Sequence, residues 1–571
     1  MPCIGLRSDA TLVLSSFLDG GPMAFPEPGV EPHYAPDRTA RIEHLHLVLA
    51  MEPVARTWRG EVRIRFTRRP TFDGALVLDF DDGTIDGVSL DGQEMSYTLA
   101  DEQLRIHGVQ ADGVVVVRFS GSTPTRGLYF TGPEPFAPDR EPMAWTQCQD
   151  EDAHFVFPCH DHPRVKHPWT IELEAPEGYS LVSNGAEVAQ TEDGGRARAT
   201  FEVADPMPAY LFTAVAAKLS SIDASWNGKS VRYLVPQGRE ENAVLAMGKT
   251  PLMIEHFSTI TGVAYPWPRY DQVVVDDFIF GGMENQSCTL MTDVLLVDEK
   301  GCLEWDPDGL VAHELAHQWF GDLVTCQDWG QGWLNESWAT FMERVWWEHD
   351  RSPADAAWYA HGHFSDYLQE ASSRYKRSIV SYRFREPIDV FDRHLYQKGA
   401  CVLGTLRTSL GEEAFWAGCK LYLERHGRGT VHTTLFQRAF EDATGRNLDQ
   451  FMDQWFYSAG HPVLDLKLAE EDGLLTATVK QTQKGEGIPQ AFHLPLRLEL
   501  VLQDGTTKQV TLRVRERERT WAVPVDGPLR TVRVDPGFGV LAEVRLSAPR
   551  PWLEALLRDD CPVLGTRAAT A

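Results

Sequence analysis

The sequence predicts a multidomain α+β protein, with a β-sandwich-like N-terminal domain, a mixed and then helical middle domain, a small β-sandwich and a short helical tail. Its 571 residues exceed what one hydrophobic core supports, because single cores stop growing at about 250–300 residues. Alternating apolar and polar residues dominate both ends of the chain, and helical periodicity dominates the middle. We therefore expect domains at residues 36–225, 226–460 and 461–548.

Strand patterns predict the N-terminal β domain. Val62, Ile64 and Phe66 alternate with polar residues, which is typical of a strand with one buried face. Several such runs are separated by turn residues, so a β-sandwich-like domain follows. The preceding residues 1–35 are interrupted by Gly and Pro, and we expect them to be flexible.

The middle domain begins with strands and continues with helices. Val273 to Val275 together with Phe278 to Phe280 are predicted as buried strand. Lys398 to Leu410 and Glu412 to Arg425 have the spacing of amphipathic helices. An α/β arrangement followed by helices is therefore predicted.

The C-terminal part returns to strands and ends in a helical tail. Leucines from Leu494 to Leu500 occupy every second position, and Leu475 to Val479 has the same pattern. The tail, residues 549–571, has helical character at Trp552 to Arg558, and it is too short to bury a core of its own.

Charge and cysteine usage restrict the class of partner. The net charge is −28, from 54 basic and 82 acidic residues, which argues against nucleic acid or an anionic membrane as a partner. Nine cysteines are scattered without a CxxC pair, and we see no signal peptide or membrane span. We therefore expect reduced thiols and a cytoplasmic location. We also expect a monomer or weak oligomer.

The motif His313-Glu314-Leu315-Ala316-His317 is the most informative stretch of the chain. Residues i and i+4 share one face of a helix, so His313 and His317 can bind one ion. Glu336, in Asn335-Glu336-Ser337, lies at the spacing of a third ligand. Three protein ligands with an open fourth position indicate a catalytic zinc site, with one Zn²⁺ per chain. Glu314 is suited to act as general base toward zinc-activated water.

Local signals place these residues on two helices. Asp306 can cap the first helix, Pro307 suits its first position and Gly321 fits its end. A second helical stretch, residues 335–349, would bring Glu336 to the metal. Because ligating histidines need an acceptor for their second ring nitrogen, Glu343 is a hypothetical partner.

Further motifs occur in the order typical of one family. They are Thr146-Gln147, Phe157-Pro158-Cys159 with Asp161 and Pro163, Gly281-Gly282-Met283-Glu284-Asn285, Tyr396-Gln397-Lys398-Gly399-Ala400, Gln454-Trp455 and Gly460-His461-Pro462-Val463-Leu464. With the zinc motif, this chain resembles the M1 family of zinc aminopeptidases, from about residue 42 to 545.

The resemblance implies a thermolysin-like zinc catalytic domain with assigned roles. Zinc would be bound by His313, His317 and Glu336, with Glu314 as general base and Tyr396 stabilising the oxyanion. Glu284 would bind the α-ammonium of the substrate. The substrate-binding residues implied are Gln147, Gln149, Gly281, Gly282, Met283, Glu284 and Asn285.

The physical chemistry of an exopeptidase agrees with these roles. Zinc acidifies water, so that a nearby carboxylate can take its proton. A phenol donor stabilises the oxyanion that follows, and a buried carboxylate can measure one residue from a charged amino terminus. We therefore predict a zinc metalloprotease that removes N-terminal residues from peptides, with broad preference for neutral or basic side chains.

Several features depart from the family pattern. Gln149 stands where many members have Glu, and Ser337 stands where Gly is usual. The tail would be the start of the family's C-terminal helical domain, the rest of which is missing from this sequence. Two alternatives stay open: epoxide hydrolysis as in the leukotriene-hydrolase branch, and a non-catalytic binding scaffold. Cys159 and three nearby histidines suggest a second metal, although their spacing fits no standard zinc pattern.

Overall fold

A computed structural model describes residues 25–26 and 29–558. The described chain forms two compact units. The first unit contains Tyr34–Asp328 and His426–Val431, and the second contains the remaining described residues. Most of the predicted flexible N-terminus, and residues 559–571 of the predicted tail, lie outside the described residues.

The first unit begins with seventeen strands. They are β1 (Ala40–Glu52), β2 (Thr57–Arg68), β3 (Ala75–Asp79), β4 (Thr84–Leu90), β5 (Gln93–Glu94), β6 (Tyr97–Ala100), β7 (Gln103–His107), β8 (Gly113–Ser122), β9 (Gly127–Thr131), β10 (Met143–Gln147), β11 (His167–Pro176), β12 (Ser180–Ser183), β13 (Ala186–Asp193), β14 (Arg196–Met207), β15 (Ala214–Ala217), β16 (Leu219–Trp226) and β17 (Lys229–Pro236).

Three sheets use the first fifteen of these strands. The largest has the order β13-β14-β11-β1-β2-β8-β4-β5, and the others have the orders β12-β15-β10-β9 and β3-β7-β6. In β2 the side chains of Val62, Ile64 and Phe66 are buried while Arg63 and Arg65 are exposed. This alternation confirms the predicted strand, because one face packs on the core and the other meets solvent.

A mixed sheet with the order β16-β17-β18-β20-β19 follows. Its further elements are β18 (Arg269–Val275), β19 (Gly282–Met283) and β20 (Cys288–Thr292), with helices α1 (Glu240–Met247), α2 (Thr250–Thr261) and α3 (Asp308–His317) and the short pair β21 (Thr325–Cys326) and β22 (Thr430–Val431). Every residue of β18 and β20 is buried.

The predicted strand at Phe278 to Phe280 is wrong. Strand β18 ends at Val275, and Asp277 adopts a left-handed conformation with a φ of 57°. Such a residue breaks the extended ladder. Ile279 is consequently 45% exposed.

The second unit contains the remaining helices. They are α4 (Trp333–Asp350), α5 (Pro353–Ser373), α6 (Gly399–Leu410), α7 (Glu412–His426), α8 (Thr433–Thr444), α9 (Asp449–Trp455) and α10 (Arg550–Leu556). Aromatic side chains join them: the Trp333 ring lies 4.1 Å from that of Phe456 and 5.1 Å from that of Phe436. The predicted helices at residues 398–410 and 412–425 are confirmed within one residue at each end.

Two small sheets complete the second unit. Their strands are β23 (Val463–Glu471), β24 (Leu474–Gln481), β25 (Leu494–Leu502), β26 (Thr507–Val514), β27 (Glu518–Pro524), β28 (Leu529–Val534) and β29 (Glu543–Ser547). The orders are β27-β24-β23-β29 and β26-β25-β28. Alternate leucines of β25 are buried, as predicted. The Thr531 hydroxyl donates to the Trp552 carbonyl at 3.0 Å, which attaches α10.

The predicted fold class, with a β-rich start, a helical middle part, a second β-rich part and a short helix, is confirmed. The exact domain boundaries stay predictions. Between residues 29 and 558, no helix has the length and apolar character needed to cross a membrane.

Candidate active site

Helix α3 places the two histidines of the first motif together. The imidazole rings of His313 and His317 lie 4.8 Å apart, and their Nε2 atoms are separated by 3.1 Å. The helix begins at Asp308, one residue later than predicted, and the Asp306 carboxylate accepts the Asp308 N–H at 2.9 Å. It ends at His317, and the Asp322 N–H donates to the His317 carbonyl at 3.0 Å.

The second ring nitrogen of His317 has a backbone partner. Nδ1 lies 2.9 Å from the carbonyl oxygen of Phe320, so this nitrogen donates its proton there and Nε2 presents its lone pair. Sequence reasoning proposed Glu343 as an acceptor of this kind. Glu343 accepts the Tyr359 hydroxyl and lies 3.4 Å from His363 Nε2, and its role toward a ligating histidine stays a prediction. A carbonyl acceptor has no sequence pattern, because every residue carries one.

The Gly281-Gly282 backbone passes directly against Glu314. A Cβ atom on Gly282 would lie 2.5 Å from the carboxyl carbon and one carboxylate oxygen of Glu314. On Gly281 it would lie 3.0 Å from Leu310. Glycine at position 282 therefore lets the backbone approach the Glu314 carboxylate. Glu314 as a whole residue is only 4% exposed.

Polar contacts hold the segment that follows. The Asn285 amide nitrogen donates to the carbonyls of Leu211 and Phe212 at 3.1 and 3.2 Å. Gln318 bridges the segment to the end of α3: its amide donates to the Glu284 carbonyl at 3.1 Å and accepts the Ser287 N–H at 2.8 Å. Sequence reasoning missed Gln318, whose only signal is its position directly after the motif.

Glu284, Glu314 and His317 form one buried group. One ligand atom of each lies within 4.8 Å of the others, and none of the three is more than 4% exposed. The negative charge of this group acts on its surroundings. Burial, and then the charges of Glu284 and Glu314, raise the pKa of Asp322 well above its ordinary value, while Lys166 opposes the shift. Such a group favours a cation.

The two glutamines lie at and just beyond the end of β10. Gln147 is fully buried, and its amide nitrogen lies 3.2 Å from the sulfur of Met283, which connects it to the glycine-rich segment. Gln149 lies two residues beyond the strand and is half-buried. The structure therefore brings Gln147 next to Met283.

Glu336 and Tyr396 belong to the second unit. Glu336 lies in the first turn of α4 and is 3% exposed. The helix begins at Trp333, two residues before the predicted start. Tyr396 is half-buried, in the middle of a π-helix at His394–Lys398 that leads into α6. Single π-turns of this kind occur frequently at functional sites.

The histidine geometry of the first unit fits a metal. Two Nε2 atoms at 3.1 Å converge on one region, and His317 has its proton on the opposite nitrogen. Imidazole nitrogens with a carboxylate are the donor set that zinc takes in catalytic sites. Cys159, His160, His162 and His167 do not join any group of ligand atoms among the described residues, and His160 Nε2 lies 3.0 Å from the Val77 carbonyl.

Comparisons with known proteins agree with the fold and the motifs. The chain is 27% identical over 449 residues to probable aminopeptidase 2 of Sulfurisphaera tokodaii, covering 75% of this chain and 55% of that protein. It is 29% identical over 391 residues to human glutamyl aminopeptidase (65% and 40% covered). With yeast alanine/arginine aminopeptidase the identity is 30% over 403 residues (66% and 45% covered). The chain spans about half the length of the curated relatives it matches.

A solved structure has the same fold. The crystal structure of Legionella pneumophila aminopeptidase A in complex with aspartic acid matches with a TM-score of 0.80 at 19% identity, covering 94% of this chain and 63% of that one. Residues 32–211 match the peptidase M1 N-terminal domain, and residues 245–455 match the peptidase family M1 domain. These matches together span more than half of the chain, which therefore belongs to peptidase family M1, a family of metalloproteases.

Proposed function

We propose that this chain is a zinc aminopeptidase that hydrolyses the N-terminal residue from peptides with a free amino terminus. The observation that carries the proposal is the buried group of Glu284, Glu314 and His317, whose ligand atoms lie within 4.8 Å of one another. This group puts a candidate base, a candidate ammonium partner and a candidate metal ligand close together in one buried place. That spacing suits an exopeptidase.

His313, His317 and Glu336 would hold the zinc. When bound, zinc polarises the scissile carbonyl and acidifies a water molecule. The proton arrangement of His317, with Nδ1–H directed at the Phe320 carbonyl, supports its role as a ligand through Nε2.

Glu314 would take the proton from the attacking water. Its carboxylate lies against the Gly282 backbone in a buried position, so its orientation is restricted. A base held in place contributes more than a mobile one, because no reorganisation is needed when the proton moves.

Glu284 would bind the α-ammonium of the substrate. Its backbone is held by Gln318, and a charge-assisted bond to the ammonium would fix the first residue. Gln147 and Gln149 would line the pocket for the first side chain, next to Met283, and Gln149 would help to hold the amine. Gly281, Gly282 and Asn285 would shape the segment that presents Glu284. Tyr396 would donate to the oxyanion.

Substrate range and location are part of the same proposal. We expect peptides with neutral or basic first residues, and a cytoplasmic enzyme. All seven described cysteines are free, which supports a reducing compartment.

An assay with aminoacyl fluorogenic amides tests the proposal. Purified protein should release the fluorophore, lose this activity with a chelator and regain it with Zn²⁺. The N-acetylated amide should be inert, because it lacks the ammonium. Absence of chelator-sensitive release would leave the scaffold alternative, and hydrolysis of a lipid epoxide alone would support the leukotriene-hydrolase alternative.

Substitution of Glu314 tests the chemical step. Glu314→Gln should lower kcat by about 10²–10⁴-fold, because the base is lost while the shape stays. Zinc content, measured by mass spectrometry, should stay near one ion per chain. Glu299→Gln, an exposed site, is the matched control and should have wild-type kcat. Retained activity in Glu314→Gln would refute the role of this residue.

A further inference from the structure

We propose that Ser337 is a positioning residue for Tyr396. Its hydroxyl connects helix α4, which carries Glu336, to the peptide group that precedes Tyr396. The inference rests on the oxyanion role proposed above for Tyr396, and it deepens that proposal by naming what holds the phenol in place.

The contact involves a single peptide plane. Ser337 is fully buried, and its Oγ donates to the carbonyl oxygen of Leu395 at 2.5 Å. The same peptide group ends in the Tyr396 N–H, which donates to the Asp392 carbonyl at 3.2 Å. Both polar atoms of the Leu395–Tyr396 peptide are therefore bonded, and one of these bonds comes from the helix of Glu336.

Asp392 and Arg377 hold the start of the π-helix His394–Lys398, which carries Tyr396. The Asp392 carboxylate accepts the N–H groups of His394 and Leu395 at 2.9 and 3.0 Å. Arg377 donates to both oxygens of the same carboxylate at 2.6 and 2.7 Å. These bonds fix the start of the π-helix. Ser337 adds a side-chain hydrogen bond to the Leu395 carbonyl within it.

Gly399, directly after the π-helix, packs against the same serine. A Cβ atom on Gly399 would lie 1.8 Å from Ser337 Oγ, so a side chain larger than glycine cannot occupy position 399 while the hydroxyl holds its place. Helices α4 and α6 approach closely here because one partner is glycine. Ser337 and Gly399 thus fit each other sterically, and the Ser337 hydroxyl is directed at the Leu395 carbonyl.

The physical consequence concerns the transition state. An oxyanion donor stabilises charge in proportion to how well it is preorganised. Loss of the Ser337 bond would free the peptide plane that sets the direction of Tyr396, and small displacements of catalytic groups can cost up to about 10²-fold. The loss should appear in kcat rather than KM, because the oxyanion forms only during the reaction.

A double-mutant cycle with Tyr396 tests the proposal. The zinc-loaded full chain is assayed as wild type, Ser337→Ala, Tyr396→Phe and the double variant, on one aminoacyl fluorogenic amide. Ser337→Ala should lower kcat about 10-fold with KM changed less than about 2-fold. In the Tyr396→Phe background the same change should lower kcat less than about 2-fold, because its target is gone.

Controls separate positioning from general damage. Ser409→Ala removes a comparable hydroxyl bond, to the Thr405 carbonyl at 2.7 Å, and should leave kcat unchanged. Ser337→Gly replaces the alanine variant if that protein does not fold, and zinc content should stay near one ion per chain in all variants.

Three results would overturn the proposal while leaving the oxyanion role of Tyr396 in place. Ser337→Ala with wild-type kcat, an equal fold-loss in both backgrounds, or loss of zinc would each show that the hydroxyl does not act through Tyr396. A fully active Tyr396→Phe variant would instead refute the oxyanion role itself, and the proposal with it.

Discussion

Two buried polar groups of this chain each combine two carboxylates with one histidine, and they have different surroundings. The first unit contains Glu284, Glu314 and His317, and the second contains Glu370, Asp392 and His394; in each, ligand atoms lie within 4.8 Å of one another. In the first, burial is the main cause of the raised pKa of nearby Asp322, and the charges of Glu284 and Glu314 raise it further. In the second, burial opposes ionisation, yet Arg377 and His394 hold the pKa of Asp392 well below its ordinary value.

Arg377 explains the difference. It donates to both carboxylate oxygens of Asp392 and to the carbonyls of Ser378, Ile379 and Val390. All five N–H groups of the guanidinium are used. The second group therefore contains its own cation in Arg377, whereas in the first group two carboxylates act together on buried Asp322. Residue types alone do not separate a candidate active site from a structural network; the charge balance does.

The largest expected effect comes from removing the internal cation of the second group. Arg377→Met leaves Asp392 buried without its partner, which should lower the free energy of unfolding by about 3–5 kcal/mol. Urea denaturation measures the change. The exposed control Arg530→Met should change it by less than about 0.5 kcal/mol. Equal stability of Arg377→Met and wild type would contradict the comparison.

The first group should respond in the opposite way. Glu284→Gln removes one of the two carboxylates that raise the pKa of buried Asp322, so the free energy of unfolding should stay the same or increase. The kcat/KM on aminoacyl amides should fall about 10- to 100-fold, because a charge-assisted bond to the substrate ammonium is lost.

Glu304→Gln, at an exposed position, is the control and should change neither quantity. Destabilisation of Glu284→Gln with normal kcat/KM would mean that Glu284 is structural.

The last effect is gradual, because it is a pH dependence of stability. Burial, and then the charge of Arg377, lower the pKa of Lys398 from 10.5 to about 7. Between these pH values the unfolded chain binds one more proton than the folded chain. Stability should therefore increase with pH from about 7 to 10.5, by about 1.4 kcal/mol per pH unit from this lysine.

Lys398→Met should remove this contribution. Urea denaturation at pH 7.5, 8.5 and 9.5 measures the slope. Lys166, in the first unit, has a pKa lowered to about 7, mainly by burial, and Lys166→Met is the matched variant. An unchanged slope in Lys398→Met would show that this amine stays charged in the folded protein.

Local patterns predicted most elements because helix and strand periodicity depend on nearby residues. Strand β2 and helices α6 and α7 agree with their patterns. The error at residues 278–280 arose because an apolar run does not reveal the left-handed Asp277 that ends β18. For Glu343, helical spacing identified its face but could not show its contacts with Tyr359 and His363.

By itself, the sequence determined the chemical identity of the candidate site. The spacing of His313 and His317 and the glycines before Met283 are local features, which helix geometry and backbone freedom translate directly into structure. The tertiary structure alone decided which buried charges are paired and which distant residues hydrogen-bond to the site residues. Arg377 meets Asp392, Gln318 meets Glu284 and Ser337 meets Leu395. These contacts join distant parts of the chain, and only the packing of the core brings them together.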